Sequence, residues 1–177
     1  MFNILFKISE LDTKAKEMKT IECTRGIVFA CVSQFNIDSE NPSHSITMAE
    51  CKHCSAKFHY QLPGECCPEC ENPPDRYFYQ LTHQLSFIDD TAELHSPLID
   101  EYAITKLIGY QPEEFATLNS HEKTMLKYSI LFERFKIFFM MYKNEAKQTM
   151  EIRIVDCEKA NLEEMLNLTY LVSEMYS

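Results

Sequence analysis

Residues 51–70 have the sequence CKHCSAKFHYQLPGECCPEC, with two Cys-x-x-Cys pairs separated by twelve residues. Cys51 and Cys54 form the first pair, and Cys67 and Cys70 form the second. Each pair can present two thiolates from one turn, and two such turns supply the four ligands of a tetrahedral Zn²⁺ site. We therefore predict one structural zinc ion, Zn²⁺, bound by these four cysteines. Four protein ligands leave no coordination position for water, so metal catalysis is not expected.

Other ligand sets are weighed against this one. Cys66 is an alternative to Cys67, but only Cys67 has the two-residue spacing to Cys70. His53 and His59 are expected to lie on the surface of the ribbon, because the four cysteine positions are already filled. Buried free cysteines or a redox pair are the remaining interpretations. Clustered cysteines without a signal-peptide-like N-terminus favour metal binding in a reducing compartment.

Composition and charge limit the function further. The chain has 177 residues, of which 45% are hydrophobic and 25% charged, as expected for one globular domain. Its formal net charge is −10, or about −12 with four thiolates on one Zn²⁺, which disfavours strong sequence-independent binding of nucleic acid. With three glycines, no phosphate-binding loop can be built, and no order of Ser, His and Asp indicates an enzyme. The longest apolar stretch, Ile137–Tyr142, is too short to cross a membrane.

Hydrophobic periodicity predicts a strand, the zinc insert, a strand, two helices, a hairpin and a last helix. Residues 1–22 are expected to form an incoming strand or arm, and Gly26 is expected to mark a bulge or a bend. The predicted elements are strands at Ile27–Val32, Tyr77–Ile88, Phe135–Tyr142 and Met150–Val155, a loop at Asn36–Ser45, a helix at Leu98–Ile108 ended by Gly109, a helix capped by Ser120, and a helix at Leu162–Tyr176 capped by Asn161.

This order of elements resembles the C-terminal oligonucleotide-binding (OB) fold of the replication protein A large-subunit family. The resemblance covers residues 20–177. It is carried by the ribbon inserted after the first strand, by YFYQLTHQLSFIDDT at Tyr77–Thr91, by IDEYAITKLIG at Ile99–Gly109 and by the last hairpin, which ends in MEIRIVD at Met150–Asp156. It implies a mixed, mainly β fold, in which a five-stranded OB-fold barrel carries an inserted zinc ribbon, helices between strands and a C-terminal α-helix. We expect a single domain over residues 1–177, with the ribbon at about 46–76 and the last helix at about 161–176.

The departures from the family pattern indicate a specialised paralogue. Ala92 stands where the family usually has Gly, and Glu71 follows the second knuckle where ribbons often have Gly. The groove side of the hairpin is mostly apolar or aromatic rather than basic. Paralogues of this kind include the telomerase-associated subunit of ciliates, whose branch the Lys-, Asn- and Phe-rich composition suits best, and meiosis-specific or telomere-capping relatives. The resemblance thus implies a nuclear protein at chromosomes or telomeres.

Strand alternation separates a core set from a groove set on the hairpin. The family pattern places Phe135, Ile137, Phe139 and Met141 in the core and the alternate residues in the groove. Single-strand binders stack bases on aromatic rings and contact phosphates with cations. The predicted DNA-binding residues are therefore Lys136, Phe138, Tyr142, Lys143 and Arg153. The alternative is that Phe138 and Tyr142 pack under a loop or against the ribbon.

The last helix has an unusually broad apolar surface. In the replication family the equivalent helix joins a bundle with two smaller subunits, which implies partner contacts here through Leu168, Leu171, Val172 and Met175. The alternative is that the helix docks on its own barrel.

The leading hypothesis is a binding module for single-stranded DNA, with telomeric DNA as the expected ligand and support of telomerase processivity within a multi-subunit complex as the expected role. A protein-interaction scaffold with little DNA binding of its own, or the general replication protein A large subunit, are the alternatives. A strongly acidic chain would need linked neighbouring modules for full affinity.

Overall fold

The computed structural model describes residues 4–18, 23–39, 41, 45–60, 64–81, 84–144 and 149–167. These residues contain five helices and two β-sheets. The strands are β1 (Cys23–Phe35), β2 (Thr47–Glu50), β3 (Lys57–His59), β4 (Arg76–Tyr79), β5 (Leu85–Ile88), β6 (Glu93–His95), β7 (Leu98–Ile99), β8 (Arg134–Asn144) and β9 (Thr149–Lys159). The helices are α1 (Ile8–Glu17), α2 (Glu101–Ile108), α3 (Pro112–Thr117), α4 (Ser120–Ile130) and α5 (residues 162–167).

The larger sheet is the barrel. Its strand order is β6-β5-β1-β8-β9-β7, and β7 runs parallel to β9. Only Ser96 and Pro97 separate β6 from β7, so these two short strands are the halves of one barrel strand and bring the two edges of the sheet together. With β6 and β7 counted as one, the barrel has five strands, and the predicted fold class is confirmed.

The barrel core follows the predicted alternation on β8. Phe135, Ile137, Phe139 and Met141 are all at most 4% exposed, so this inward set is confirmed. Burying one such side chain contributes about 1.5–3 kcal/mol, which makes this strand a main source of stability. Both hairpin strands extend beyond the predicted bounds, because pairing of β8 with β1 and with β9 continues past the apolar residues.

The smaller sheet, β3-β2-β4, is the ribbon inserted after β1. One of its faces forms a separate apolar cluster in which Ala49, Phe58 and Tyr60 pack with Ala116 of α3. The Tyr60 ring meets Tyr77 edge-on at a centroid distance of 4.7 Å. The ribbon therefore packs against α3, a helix that was not predicted from the sequence.

The N-terminal segment is part of the barrel, but it is not simply a strand. Leu5 forms an isolated parallel bridge with Ile27, as an incoming arm would, and the chain then turns into α1, which was not predicted. The Phe6 ring lies edge-on to Phe139 at 5.6 Å. A Cβ on Gly26 would come within 2.5 Å of the Phe6 ring, so this glycine is required for close approach. The pairing of β1 with β8 is regular at Gly26, so the predicted irregularity is not a bulge there; the register of β1 shifts instead between Val32 and Gln34, where it pairs with β5.

Two further element predictions are wrong because tertiary pairing overrides local pattern. Tyr77–Ile88 is not one strand, since its residues divide between β4 of the ribbon and β5 of the barrel. Period-two alternation fits either sheet and does not show where the chain changes sheets. The helix predicted from Leu98 begins at Glu101, because Leu98 and Ile99 pair with β9 to close the barrel. Its end at Gly109, with φ +79°, is as predicted.

Of the two predicted helix N-caps, the one at Ser120 is wrong and the one at Asn161 is confirmed. The N-cap of α4 is Asn119, whose side chain accepts a hydrogen bond from the Glu122 amide, rather than Ser120. Asn161 accepts a bond from the Glu163 amide at 2.9 Å and caps α5 as predicted. Among the described residues, no helix has the length and apolarity needed to cross a membrane.

Asp89, in the turn between β5 and β6, fixes the N-terminal segment to the barrel. Its carboxylate accepts hydrogen bonds from the amides of Ile8 (2.7 Å), Thr91 (2.8 Å) and Ala92 (3.0 Å) and from the Thr91 hydroxyl. It thereby caps α1 from a distant turn, since Lys7 at the N-cap position accepts no side-chain cap bond. Although partial burial acts to raise it, these bonds hold the pKa of Asp89 below its usual value.

Replacing Asp89 with Ala should lower the free energy of unfolding by about 1–3 kcal/mol at pH 7, because three amides lose their acceptor. A depressed carboxyl pKa contributes stability that is present above the unfolded pKa of about 3.9 and is lost as pH falls through the folded pKa. The difference between wild type and variant should therefore shrink below about pH 4, as measured by urea unfolding across pH.

Asp90→Ala is the matched control, because the Asp90 side chain is 77% exposed and its ion pair with Lys7 is at the surface. Equal destabilisation by the two substitutions would contradict the role given to Asp89.

Candidate metal centre and nucleic-acid interface

The four ribbon cysteines are brought together in space. Cys51 Sγ lies 3.4 Å from Cys70 Sγ, and Cys54 Sγ lies 3.5 Å from Cys67 Sγ. All four sulfur atoms are within 4.8 Å of one another. A tetrahedral site with Zn–S bonds of about 2.3 Å requires sulfur atoms about 3.8 Å apart, so the donor set fits such an ion. The cluster can therefore bind a metal ion.

The two turns that carry these cysteines have the same hydrogen-bond pattern. In the first, the Cys51 carbonyl accepts from the Ser55 amide at 2.7 Å, and the Cys51 amide donates to the Ala56 carbonyl at 3.0 Å. In the second, Cys67 makes the equivalent bonds with Glu71 and Asn72, both 2.8 Å. This repetition is typical of two matched knuckles, each of which presents a Cys pair to one point.

Burial within the cluster is uneven. Cys51 and Cys67 are buried in the apolar cluster of the ribbon, whereas Cys54 is exposed. Hydrogen bonds from the side chain and backbone of Asn72 lower the pKa of Cys70 to about 6. A lowered pKa favours the thiolate, which is the form of cysteine that binds metals.

The alternative ligands lie outside the cluster. Cys66 is exposed, and its Sγ atom points to the Gly64 carbonyl at 3.8 Å. His53 and His59 are exposed, and His59 Nδ1 lies 3.2 Å from the Ser45 carbonyl.

Replacing Cys67 with Ser should abolish stoichiometric metal binding and unfold the ribbon, because one of four ligands is lost. Cys66→Ser should retain about one metal per chain, as a closed four-ligand site requires. Inductively coupled plasma analysis with thermal unfolding of both variants measures this. Metal loss in the Cys66 variant together with retention in the Cys67 variant would show that the ligand assignment is wrong.

Both knuckles place a residue with a side chain in the left-handed backbone region, since φ is +59° at Ser55 and at Glu71. This conformation costs a residue with a Cβ about 1–2 kcal/mol, and glycine adopts it freely. Glu71→Gly should therefore raise the free energy of unfolding by about 0.5–1 kcal/mol after the entropy cost of glycine is subtracted. Chemical denaturation of the metal-loaded protein measures this change. Glu69→Gly, at a neighbouring position without positive φ, should destabilise instead.

The second candidate site is the outer surface of the hairpin, here called the hairpin face. It consists of Lys136, Phe138, Met140 and Tyr142 of β8 and Glu151, Arg153, Asp156 and Glu158 of β9. Phe138, Met140 and Tyr142 are half-buried, so each side chain is partly accessible to solvent.

Lys136 is covered and paired. It is only 9% exposed, and its Nζ atom forms ion pairs with Glu164 of α5 and, at 3.5 Å, with Glu158. Although burial acts to lower it, these carboxylates raise the pKa of Lys136. Its Nζ atom also lies 5.1 Å from the centre of the Phe138 ring. A phosphate would have to displace Glu164 to reach this lysine.

Arg153 and Tyr142 form a network at the other end of the face. Arg153 Nη1 donates to Asp100 at 2.7 Å, and Arg153 Nη2 donates to the Tyr142 hydroxyl at 3.4 Å. The Tyr142 hydroxyl in turn donates to Glu151 at 3.1 Å. Arg153 keeps 41% of its side chain exposed, so some of its five N–H donors remain accessible. Lys143 is half-buried and makes no ion pair with any residue that the structure describes.

The hairpin face is therefore nearly neutral to acidic, with two cations beside three carboxylates. The carboxylates that pair with Lys136 and Arg153 were not predicted from the sequence. Hairpin register alone would have placed Glu158 opposite Lys136, a pairing that the structure has. No local signal places Asp100 or Glu164 there, because both come from helices that are distant in sequence.

Comparison with known proteins gives two kinds of similarity. No family model matches the chain. Over 162 residues it is 24% identical to the meiosis-specific with OB domain-containing protein of Rattus norvegicus and 25% identical to that of Macaca fascicularis. These alignments cover 89% of this chain and 34% of each relative, so the chain spans about a third of their length.

Among solved structures, a replication protein A heterotrimer bound to ssDNA superimposes with a TM-score of 0.66 at 16% identity, covering 98% of this chain and 40% of that one. Yeast RPA bound to ssDNA gives 0.58 at 19% identity, covering 97% and 95%. The chain has a replication-protein-A-like OB fold. At this identity the similarity establishes the fold alone. The OB fold that the resemblance implied is therefore confirmed.

Proposed function

We propose that this chain is a non-enzymatic OB module that binds single-stranded DNA within a larger nuclear assembly. The observation that carries the proposal is the hairpin face of an RPA-like barrel, where two half-buried aromatic side chains each lie beside a cation, Phe138 beside Lys136 and Tyr142 beside Arg153. Aromatic platforms with a nearby cation are what base stacking and phosphate contact require. The solved neighbours are RPA chains bound to ssDNA, and the relatives carry the name of a meiosis-specific OB protein, which supports the same class of ligand.

The electrostatics predict modest affinity for an isolated module. The cations of the hairpin face are already paired with carboxylates, so each phosphate contact competes with an internal ion pair. In this proposal most of the binding energy comes from stacking, at roughly 1–3 kcal/mol per base, and full affinity requires linked modules.

The ribbon ion is proposed to be one structural Zn²⁺. Four cysteine donors in two matched turns are the ligand set typical of a closed zinc site. When bound, the ion would hold the two knuckles together and so fix the ribbon against α3. It would supply folding energy rather than chemistry.

The assembly contact is proposed to use the last helix. Within its described part, Leu162 and Leu166 are exposed on one side, while Glu164 reaches back to Lys136 on the barrel. The residues predicted to contact a partner, Leu168, Leu171, Val172 and Met175, lie outside the described residues, and their role stays a proposal. The exposed leucines also favour the second candidate function, an interaction scaffold with little DNA binding.

The biological setting is a finer proposal. The family resemblance favours telomeric DNA and the telomerase-associated branch of ciliates, whereas the curated relatives carry a meiotic name. General replication is the third setting. Comparing a telomeric-repeat oligonucleotide with a scrambled one of equal length separates the first setting from the others.

The double variant Phe138→Ala/Tyr142→Ala should weaken binding of a single-stranded oligonucleotide at least roughly tenfold, because two stacking platforms are lost. Fluorescence anisotropy at two salt concentrations measures the effect. Tyr128→Ala is the matched control, since Tyr128 is an exposed aromatic residue on α4 rather than on the hairpin face. Equal and negligible binding by wild type and double variant at low salt would refute DNA binding and favour the scaffold.

A further inference from the structure

The ribbon has a second face, opposite the one that packs against α3; Met48 at its centre is buried, and charged residues surround it. Strand register places Lys57, Glu50 and Arg76 side by side across the sheet, and the residues two positions away fall on the same face. We call this the ribbon outer face. It consists of Lys57, His59, Met48, Glu50, Arg76 and Phe78.

The aromatic residue on this face, Phe78, is half-buried and lies across the sheet from the buried Met48. The ribbon core lies on the opposite face, where Ala49, Phe58 and Tyr77 cluster. Among the described residues, Phe78 belongs to neither core cluster. Instead, two cations approach its ring, with Lys57 Nζ at 5.6 Å and Arg76 Cζ at 5.5 Å from the ring centre. The ring is thus positioned by charged groups at the surface.

The cations of this face remain accessible. The side chains of Lys57 and Arg76 are 58% and 59% exposed. Both lie near the single carboxylate of Glu50, at 4.0 and 3.9 Å, so one negative charge is shared between two cations. Arg76 also donates to Glu101 at 3.0 Å through Nη2, which leaves other N–H donors of its guanidinium for a further acceptor. Within the ribbon outer face itself, cations outnumber carboxylates two to one, in a chain with a net charge of −10.

The ribbon outer face adjoins the hairpin face. Asp100 and Glu101 are consecutive residues at the start of α2, with Cα atoms about 3.8 Å apart. Asp100 forms an ion pair with Arg153 of the hairpin face at 2.7 Å, and Glu101 forms one with Arg76 of the ribbon outer face at 3.0 Å. The two faces therefore meet at the start of α2.

We propose that the ribbon outer face is an additional contact surface for the same single strand, with Lys57 and Arg76 binding its phosphates and Phe78 offering a ring to a base. The proposal rests on the proposed function and extends the path of the strand beyond the hairpin face. The two cations of the ribbon outer face are more exposed than Lys136 and Arg153 of the hairpin face, so phosphates reach them more easily. The proposal also gives the metal ion a part in binding, because the knuckles hold β2 and β3 in place.

The test compares Lys57→Ala/Arg76→Ala with wild type in binding an oligothymidylate of about 12 nucleotides, within the range of site sizes known for OB folds. Each phosphate contact on a single strand contributes about 0.7 to the slope of log affinity against log salt. The double variant should bind roughly tenfold more weakly at low salt, and its slope should be smaller by about 1.4, as expected for two lost contacts. Phe78→Leu, tested separately, should weaken binding while leaving the slope unchanged, because it removes a ring and no charge.

Lys159→Ala is the matched control for charge, because Lys159 is 72% exposed and pairs at the surface with Glu133. Metal content and thermal unfolding of each variant show whether the ribbon is intact, and only intact variants are compared. If the Lys57→Ala/Arg76→Ala variant binds with the affinity and the salt slope of the wild type, the inference is wrong and the proposed function still stands. Absence of wild-type binding at low salt refutes the proposed function itself.

Discussion

The parallel pairing of β7 with β9 is the constraint on which the barrel and its surfaces depend. Two residues, Leu98 and Ile99, pair with Arg153 and Ile154 and so join the ends of a sheet that would otherwise have open edges. Unpaired strand edges expose backbone groups that favour association with other chains, and closure removes them. The same pairing sets where α2 begins, because the Asp100 amide donates to the Ile154 carbonyl at 2.9 Å. The Asp100 carboxylate is thereby placed beside Arg153 of the hairpin.

The ribbon depends on a different constraint. Its strands have three or four residues each, too few to form a stable sheet alone, and its apolar cluster is small. Two things compensate: four cysteines arranged for one ion, and α3, which packs Ala116 against the sheet. A metal ion stabilises such a module by removing conformational freedom from the two knuckles. Since one face of the sheet is used for docking, the other is left for charged and aromatic residues.

The proposed nucleic-acid ligand has to be compatible with an acidic chain, whose net charge is −10. Overall charge disfavours long-range attraction of phosphates, so association depends on local cations and on stacking. On the hairpin face the cations are fixed by neighbouring carboxylates, which position Lys136 and Arg153 but reduce their net field. On the ribbon outer face Lys57 and Arg76 are also paired, with Glu50 and Glu101, but more than half of each cationic side chain is exposed. Binding through short-range contacts of this kind fits a module that acts beside linked neighbours rather than one that captures DNA alone.

The sequence by itself determined which four cysteines come together in the ribbon, the inward set of β8 and the order of most elements. Cysteine spacing and strand alternation are local patterns, so they can be recognised in the sequence without knowledge of the fold. Only the tertiary structure decided that Tyr77–Ile88 divides between two sheets, that α1 and α3 exist, and that Lys136 lies beneath Glu164. These depend on which elements meet, and contacts between residues distant in sequence leave no periodic signal. The charge state of the candidate groove was for this reason decided by folding, although its aromatic residues were visible in the sequence.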